Sequence, residues 1–417
     1  MADVLEHLPD EEQAAYLKGL DPESGAEVLV EMEEAHRLQH LESLPPADLA
    51  TLLPHLDSDD AADVLADLPP EQAASVLERI DRTDEMKVRR LLAYPEDTAG
   101  GLMQTELVTV PQEADIERVL QMVREQAREV DDFSNIFVLS QDRQLVGVLS
   151  LPDLLAADPD KPVGEVMSPV TVAIHPEDDQ EEVALLFQKY NLLSAPVIDS
   201  GGRLVGRVTI DDVVDVIQEE ASEDIYRMAG TDDEELAHGE RTFKISRLRL
   251  PWILVNLFGG MFTGYLLWLF KLTLTEVLVL VTFVPVTTAM AGNVGIQTST
   301  IFIRSMALGS YSAARLGRVL FRELRVAIIM GLTCGLVAGA AAFLWHSRPA
   351  LGLVVGLAML LNILLAASIG VLAPAFFRRI KVDPALASGP LVTTINDITG
   401  ILVYLGMATL FLKYLVE

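Results

Sequence analysis

Five stretches downstream of residue 250 are long and apolar enough to cross a bilayer, and no other property of the sequence limits its fold so strongly. A helix spanning the hydrocarbon needs about 20 mainly apolar residues. Residues 252–270, 277–303, 326–345, 351–377 and 389–415 all qualify. Inside hydrocarbon every backbone polar group must be satisfied internally, so this half reads as a helical bundle in the lipid bilayer. Basic residues fall on alternate connections. Arg241, Lys244, Arg247 and Arg249 precede the first span, and Arg304, Arg315, Arg318, Arg322 and Arg325 follow the second. Arg378, Arg379 and Lys381 follow the fourth, whereas the other connections carry little beyond Lys271 and Arg348. The positive-inside bias predicts a cytoplasmic N-terminus and, after five spans, an outside C-terminus in the cell's inner (plasma) membrane.

Charge divides the chain near residue 240. The first 240 residues hold 56 acidic and 16 basic side chains, a net of −40. The remainder holds 5 acidic and 15 basic, a net of +10. So acidic a soluble part attracts cations and argues against any nucleic-acid role. The lone Cys334 lies in an apolar stretch, so neither a disulfide framework nor a cysteine zinc site is expected. The start, MADVLEHLPDEEQAAY, has no basic n-region or apolar core, which predicts no signal peptide. No phosphate-loop motif of the G-x-x-x-x-G-K-S/T type occurs, and nothing points to an enzyme.

Two spans break the apolar pattern. The second, FVPVTTAMAGNVGIQTSTIFI, carries Pro285, Gly292, Asn293, Gly295 and Gln297. Glycines alone read as helix-packing contacts, but Asn293 and Gln297, one turn apart, add a polar face. The fifth carries Thr393, Thr394, Asn396, Asp397 and Thr399, and VDPALASGP before it supplies Asp383. A carboxylate at membrane depth is costly and marks either an ion path or an ion pair. No other span offers a basic residue at comparable depth, so a cation pathway through Asp397 is favoured over a structural pair or a neutral carboxyl. Asp383, before a proline, reads as the end of that path or as a turn-starting cap. Oxygen ligands without cysteine or histidine suit hard divalent cations such as magnesium, calcium or manganese. Two chains facing each other as a homodimer would set two carboxylates about one axis. That arrangement fits magnesium held through its water shell.

The acidic half contains two duplications. In residues 1–95, SLPPADLATLLPHL, DSDDAADVLADL and PPEQAASVLERI each begin with proline or acid and then place leucines at helical spacing. Short helices stacked into a small superhelix are expected, their acids serving as caps or solvated faces. Residues 100–225 repeat a strand–helix–strand–turn–strand–helix order, in LMQTELVTVPQEADIERVLQMV with NIFVLSQDRQLVGVLSLPDLL and again in VMSPVTVAIHPEDDQEEVALLFQ with SAPVIDSGGRLVGRVTIDDVV. This pattern strongly resembles a pair of CBS domains, which often bind adenine nucleotides. The family's Ser/Thr-x-x-Asp ribose signature matches Ser150–Asp153 and Thr209–Asp212, which implies possible ATP binding; the same spacing also caps a helix. Downstream, Asp212, Asp215, Glu219, Glu220, Glu223 and Asp224 crowd one helix. Like charges at such spacings weaken a helix unless neutralised, which favours a divalent ion bridging chains over a solvated face. Residues 232–250 change from acidic to basic and are expected to form a helix joining this part to the first span.

Over nearly its full length the chain resembles the MgtE family of magnesium channels. PVTTAMAGNVGIQTS is similar to that family's second-helix Gly-Asn-x-Gly-x-Gln signature, and DPALASGPLVTTINDITG to its fifth-helix signature. The resemblance implies an all-α superhelical cytoplasmic N domain (1–99), an α+β CBS-domain pair (100–165 and 166–228), a connecting plug helix (229–250) and an all-α five-helix transmembrane domain (251–417). It implies that Asp397 forms the magnesium selectivity site at a dimer axis and that Asp383 lies at the cytoplasmic end of the pore, with Asn293, Gln297, Thr393, Thr394 and Asn396 as polar lining. Regulatory Mg2+ would bind Asp179, Glu181, Asp212, Asp215, Glu220, Glu223 and Asp224. Asn191, Gly389 and Ala291 depart from residues common in relatives. The implied function is magnesium uptake through a channel closed by cytosolic magnesium. A cation-coupled exchanger and a non-transporting sensor are the competing classes.

Overall fold

The computed structural model describes residues 13, 16, 19–32, 34–128, 130, 133–231, 242–309, 313–387 and 389–416. The chain divides into two compact units, Met1–Glu220 and Ala221–Glu417.

The first unit opens with short helices: α1 Pro22–Val30, α2 Glu34–Ser43, α3 Pro46–Leu52, α4 Ser58–Ala66, α5 Pro70–Leu77 and α6 Arg82–Leu91. Their starts follow from sequence. Proline occupies the first turn of α1, α3 and α5, where its missing N–H costs nothing. Asp21 and Asp81 cap α1 and α6 by accepting the Ser24 and Thr83 amides at 3.1 and 3.0 Å. Gln72 of α5 donates to the Leu41 and Leu44 carbonyls, satisfying the end of α2. Leucines and valines at helical spacing, among them Leu49, Leu65, Val76 and Leu91, form the core.

The CBS pair follows. β1 Thr109–Pro111, α7 Ile116–Gln126, β2 Asn135–Leu139, β3 Leu145–Ser150 and α8 Leu151–Ala156 make the first copy, with β1 parallel to β2 and β2 antiparallel to β3. After the short α9 Val163–Val166, the second copy uses α10 Gln180–Tyr190, β4 Ser194–Ile198, β5 Leu204–Thr209 and α11 Ile210–Ala229, with β4 and β5 antiparallel. Its first strand is reduced to one parallel bridge, Ile174 to Val197, in a segment closed by Pro176. Proline supplies no ladder donor, so the pairing stops there. The copies join where Asn135 Nδ2 donates to Ser194 Oγ at 2.9 Å and the Leu145 amide donates to the Gly202 carbonyl at 3.1 Å. The apolar core of the second copy, including Val183, Phe187 and Val208, is continuous with that of the N-terminal helices.

The second unit holds five helices long and apolar enough to cross a membrane. They are α12 Thr242–Leu269, α14 Val284–Ala307 with a preceding 3₁₀ turn Leu278–Phe283, α15 Leu316–His346, α16 Pro349–Arg379 and α17 Gly389–Leu410. The short α13 Lys271–Glu276 and α18 Leu412–Val416 flank them. Of the expected connecting helix 229–250, residues 232–241 lie outside the described residues, and from Thr242 onward the chain already belongs to α12. α15 and α16 meet backbone to backbone: a Cβ on Gly339 would stand 2.6 Å from the Gly352 carbonyl, and one on Gly335 2.6 Å from that of Gly356. With no hydrophobic drive between helices in lipid, such close approach is what holds them. Tyr404 of α17, fully buried, donates its hydroxyl to the Leu280 carbonyl at 2.9 Å and fixes the 3₁₀ turn.

Candidate cation pathway and acidic sensor

Asp397 sits half-buried in the middle of α17. Among the described residues it forms no ion pair. Its helix is instead held by neighbours on three sides. Thr394 donates to Asn256 Oδ1 of α12 at 3.0 Å, where Gly259 lets the two helices come close to Thr394. Asn396, 1% exposed, donates to the Ala291 carbonyl of α14 at 3.4 Å. Asn362 of α16 donates to the Gly400 carbonyl at 3.2 Å. Thr393 and Thr399 return their hydroxyls to carbonyls one turn back, Gly389 and Ile395, the usual way a helix buries a hydroxyl.

The glycines and the amides of α14 fall on two different faces. Gly292 and Gly295 lie against α17: a Cβ on Gly292 would stand 3.7 Å from Thr393 Cγ2, and one on Gly295 would collide with Asn396 Nδ2. Asn293 and Gln297 point away and are exposed on the chain. Exposed amides at membrane depth are not satisfied by lipid.

At the other end of the bundle lies Asp383. Its Oδ1 accepts the Ala385 amide at 2.8 Å, capping the 3₁₀ turn Pro384–Ala387, and its Oδ2 accepts from Arg227. Arg227 also pairs with Glu223 one turn back in α11. The end of α11 thus lies on the α16–α17 connection. Gly389, at φ +39°, gives room to the Met228 carbonyl, and Gly230, at φ +80°, lies against Pro390 and Trp252. A side chain at either glycine would be strained as well as crowded.

In the first unit, acids of α4 face acids at the start of α11. Asp59 is 5% exposed, and its Oδ1 has no hydrogen-bond partner. Burial first, and the charge of Asp212 second, hold the Asp59 carboxyl well above its usual range and push Asp60 up to about 7. Burial pushes Asp212 up to about 6, against the hydroxyl bond from Thr209. Asp215 is raised by burial and then by Asp211. Glu220 accepts from Gln180 at 2.7 Å, while Asp179 caps α10 through the Glu181 amide at 2.9 Å. Among the described residues no three Asp, Glu, His or Cys side chains are arranged to hold a metal ion. Glu223 is joined to Arg227, which also reaches Asp383. Both Ser/Thr-x-x-Asp turns close on themselves as caps: Ser150 Oγ donates to Asp153 Oδ2 at 2.6 Å, and Thr209 to Asp212.

Comparison with known proteins follows the same order along the chain. The MgtE intracellular N domain matches residues 1–97, CBS domains match 99–160 and 163–219, and the MgtE divalent cation transporter domain matches 284–407. The magnesium transporter MgtE of Thermus thermophilus is 38% identical over 328 residues, 78% of this chain and 73% of that protein. The chain belongs to the MgtE family of divalent cation transporters. The Bacillus subtilis magnesium transporter MgtE is 33% identical over 80% of this chain and 74% of its own length. A crystal structure of the cytosolic domain of the Mg2+ channel MgtE in complex with ATP is 36% identical and covers 52% of this chain and 93% of that one, with a TM-score of 0.45.

Of Asn191, Gly389 and Ala291, the first two have local structural roles. Asn191 ends α10 at φ 51°, a left-handed cap that asparagine tolerates. Gly389 admits the Met228 carbonyl; nothing in the structure explains alanine at 291, since its bond to Asn396 uses only the backbone carbonyl. Sequence reasoning missed Arg227, Asn362, Asp59 and Asp60. Glu223 and Arg227 at i, i+4 were a readable signal for the first. A lone amide in LAMLLNILLAAS was a signal for the second.

Proposed function

We propose that this chain is a magnesium-selective channel, working as a homodimer in the inner membrane with its N-terminus in the cytoplasm. The carrying observation is Asp397: a half-buried carboxylate in a spanning helix with no ion-pair partner among the described residues. A second copy facing it across a wet conduit would give that charge, and the exposed Asn293 and Gln297, a hydrated divalent ion to meet. Relatives named as magnesium transporters support magnesium as the ion. Asp383 would stand at the cytoplasmic end of the path.

Closure by cytosolic magnesium follows from charge. The net −40 of residues 1–240 opposes compaction, and divalent ions on Asp179, Glu181, Asp212, Asp215, Glu220, Glu223 and Asp224 would relieve it. Such ions shift gating only by their preference for the closed form. An inside-negative potential, worth about 2.3 kcal/mol per charge per 100 mV, drives inward flux without a coupled reaction. ATP at the CBS pair is a secondary expectation, since the Ser150 and Thr209 turns are also complete as helix caps.

Magnesium uptake into proteoliposomes tests the pore assignment. Asp397→Ala should lower uptake about tenfold or more, the loss expected from removing a charge-assisted contact. Uptake equal to the parent would refute it, and strict dependence on a sodium or proton gradient would favour an exchanger.

A further inference from the structure

Asn362 is the one amide in α16, a helix otherwise apolar from Pro349 to Phe377 except for Ser368. It is 2% exposed. Its Nδ2 donates to the Gly400 carbonyl of α17, while its Oδ1 has no partner. An unpaired buried oxygen is destabilising, because it gives up its bond to water and gains none. The Gly400 carbonyl already belongs to the α17 backbone ladder, so stability gives little reason to keep an amide where leucine would fit. Burial also keeps Asn362 from touching a passing ion.

The place of the bond supplies a reason. Gly400 lies three residues after Asp397, on the same side of α17. A Cβ on Gly400 would stand 3.7 Å from Asn362 Nδ2, so the amide reaches the carbonyl beside the bare glycine. Asn396, adjacent to Asp397, makes the matching bond to Ala291 and also keeps an unpaired buried Oδ1. Two amides, from α16 and within α17 itself, thus bracket the turn that carries Asp397 with directional bonds that apolar packing does not supply.

We infer that Asn362 is a positioning residue for transport: its bond to Gly400 fixes the rotation and height of α17 and thereby the place of the Asp397 carboxylate. The inference rests on the reading of Asp397 as the ion-selecting group. A shift of one helix face would alter how two carboxylates share a hydrated ion, and so affinity and ion preference more than fold.

Uptake by full-length protein in liposomes, measured against magnesium and calcium, tests this together with thermal melting. For Asn362→Leu, which keeps the branched shape, the half-saturating magnesium concentration should rise about fivefold, the worth of one net hydrogen bond. Maximal flux should stay within about twofold, magnesium preference over calcium should fall, and the melting midpoint should hold or rise. Asn362→Gln, with its amide on a longer stem, should recover part of the affinity. If Asn362→Leu does not fold, Asn362→Ala gives the same readout. Parental half-saturation overturns the inference, as does a joint fall in flux and melting midpoint at unchanged half-saturation. Asp397→Asn run in parallel separates the two ideas: parental uptake there removes the Asp397 reading, whereas lost uptake beside a parental Asn362→Leu removes only this inference.

Discussion

At the scale of single residues, the molecule spends stability on carboxylates. Asp59, Asp60 and Asp212 are gathered in partly buried surroundings that disfavour their charge. For an acid whose folded pKa is raised, stability is fully present below the unfolded value and is lost as pH rises through the folded one. For Asp60 that window runs from 3.8 to about 7. In magnesium-free buffer the melting midpoint should therefore fall across this range, and Asp60→Asn should raise it by several degrees at pH 7.5. Magnesium should stabilise the parent more than the variant; a parental midpoint flat with pH and indifferent to magnesium would contradict this. Asp397 stands out without any structure, because a carboxylate in an apolar span is anomalous whatever surrounds it. Asp60 does not, because its partner Asp212 lies in another domain and an acidic helix start normally reads as a solvated cap. Asn362 is an intermediate case: the amide was visible, but its acceptor is a backbone carbonyl, which no side-chain pattern reveals.

At the scale of elements, the contact of interest is the end of α11 on the α16–α17 connection. Arg227 joins Glu223 to Asp383, with Gly389 and Gly230 allowing close backbone approach. A half-buried ion pair of this kind contributes on the order of 1 kcal/mol. Arg227→Gln should raise amide hydrogen exchange in residues 221–229 by about fivefold, the same energy expressed as opening. Unchanged protection would show that the pair does not hold the helix end. Span number and order were readable because hydrocarbon length is a strict filter. Span ends were not: α15 begins at Leu316 and not near residue 326, since the helix continues through Arg318, Arg322 and Arg325 into the interface. Hydropathy registers only the part that must be dry. The second CBS copy likewise kept its pattern but only a single bridge of its first strand.

At the scale of the whole molecule, an acidic, cation-attracting part and an apolar bundle with one central carboxylate occupy one chain, and both call for the same class of ion. Domain order was legible because each domain has its own period: short capped helices, a duplicated strand–helix pattern, then long apolar runs. The proposed relation between metal binding and conduction was not, because it would depend on a second copy and on free-energy differences between states. The decisive measurement is patch recording of the purified chain in liposomes at symmetric pH without sodium, while cytosolic-side magnesium is raised. The account predicts single-channel openings that disappear as magnesium rises, and openings that persist when Asp215, Glu220, Glu223 and Asp224 are neutralised together. Absence of openings, or closure by magnesium that survives in the neutralised variant, would contradict it.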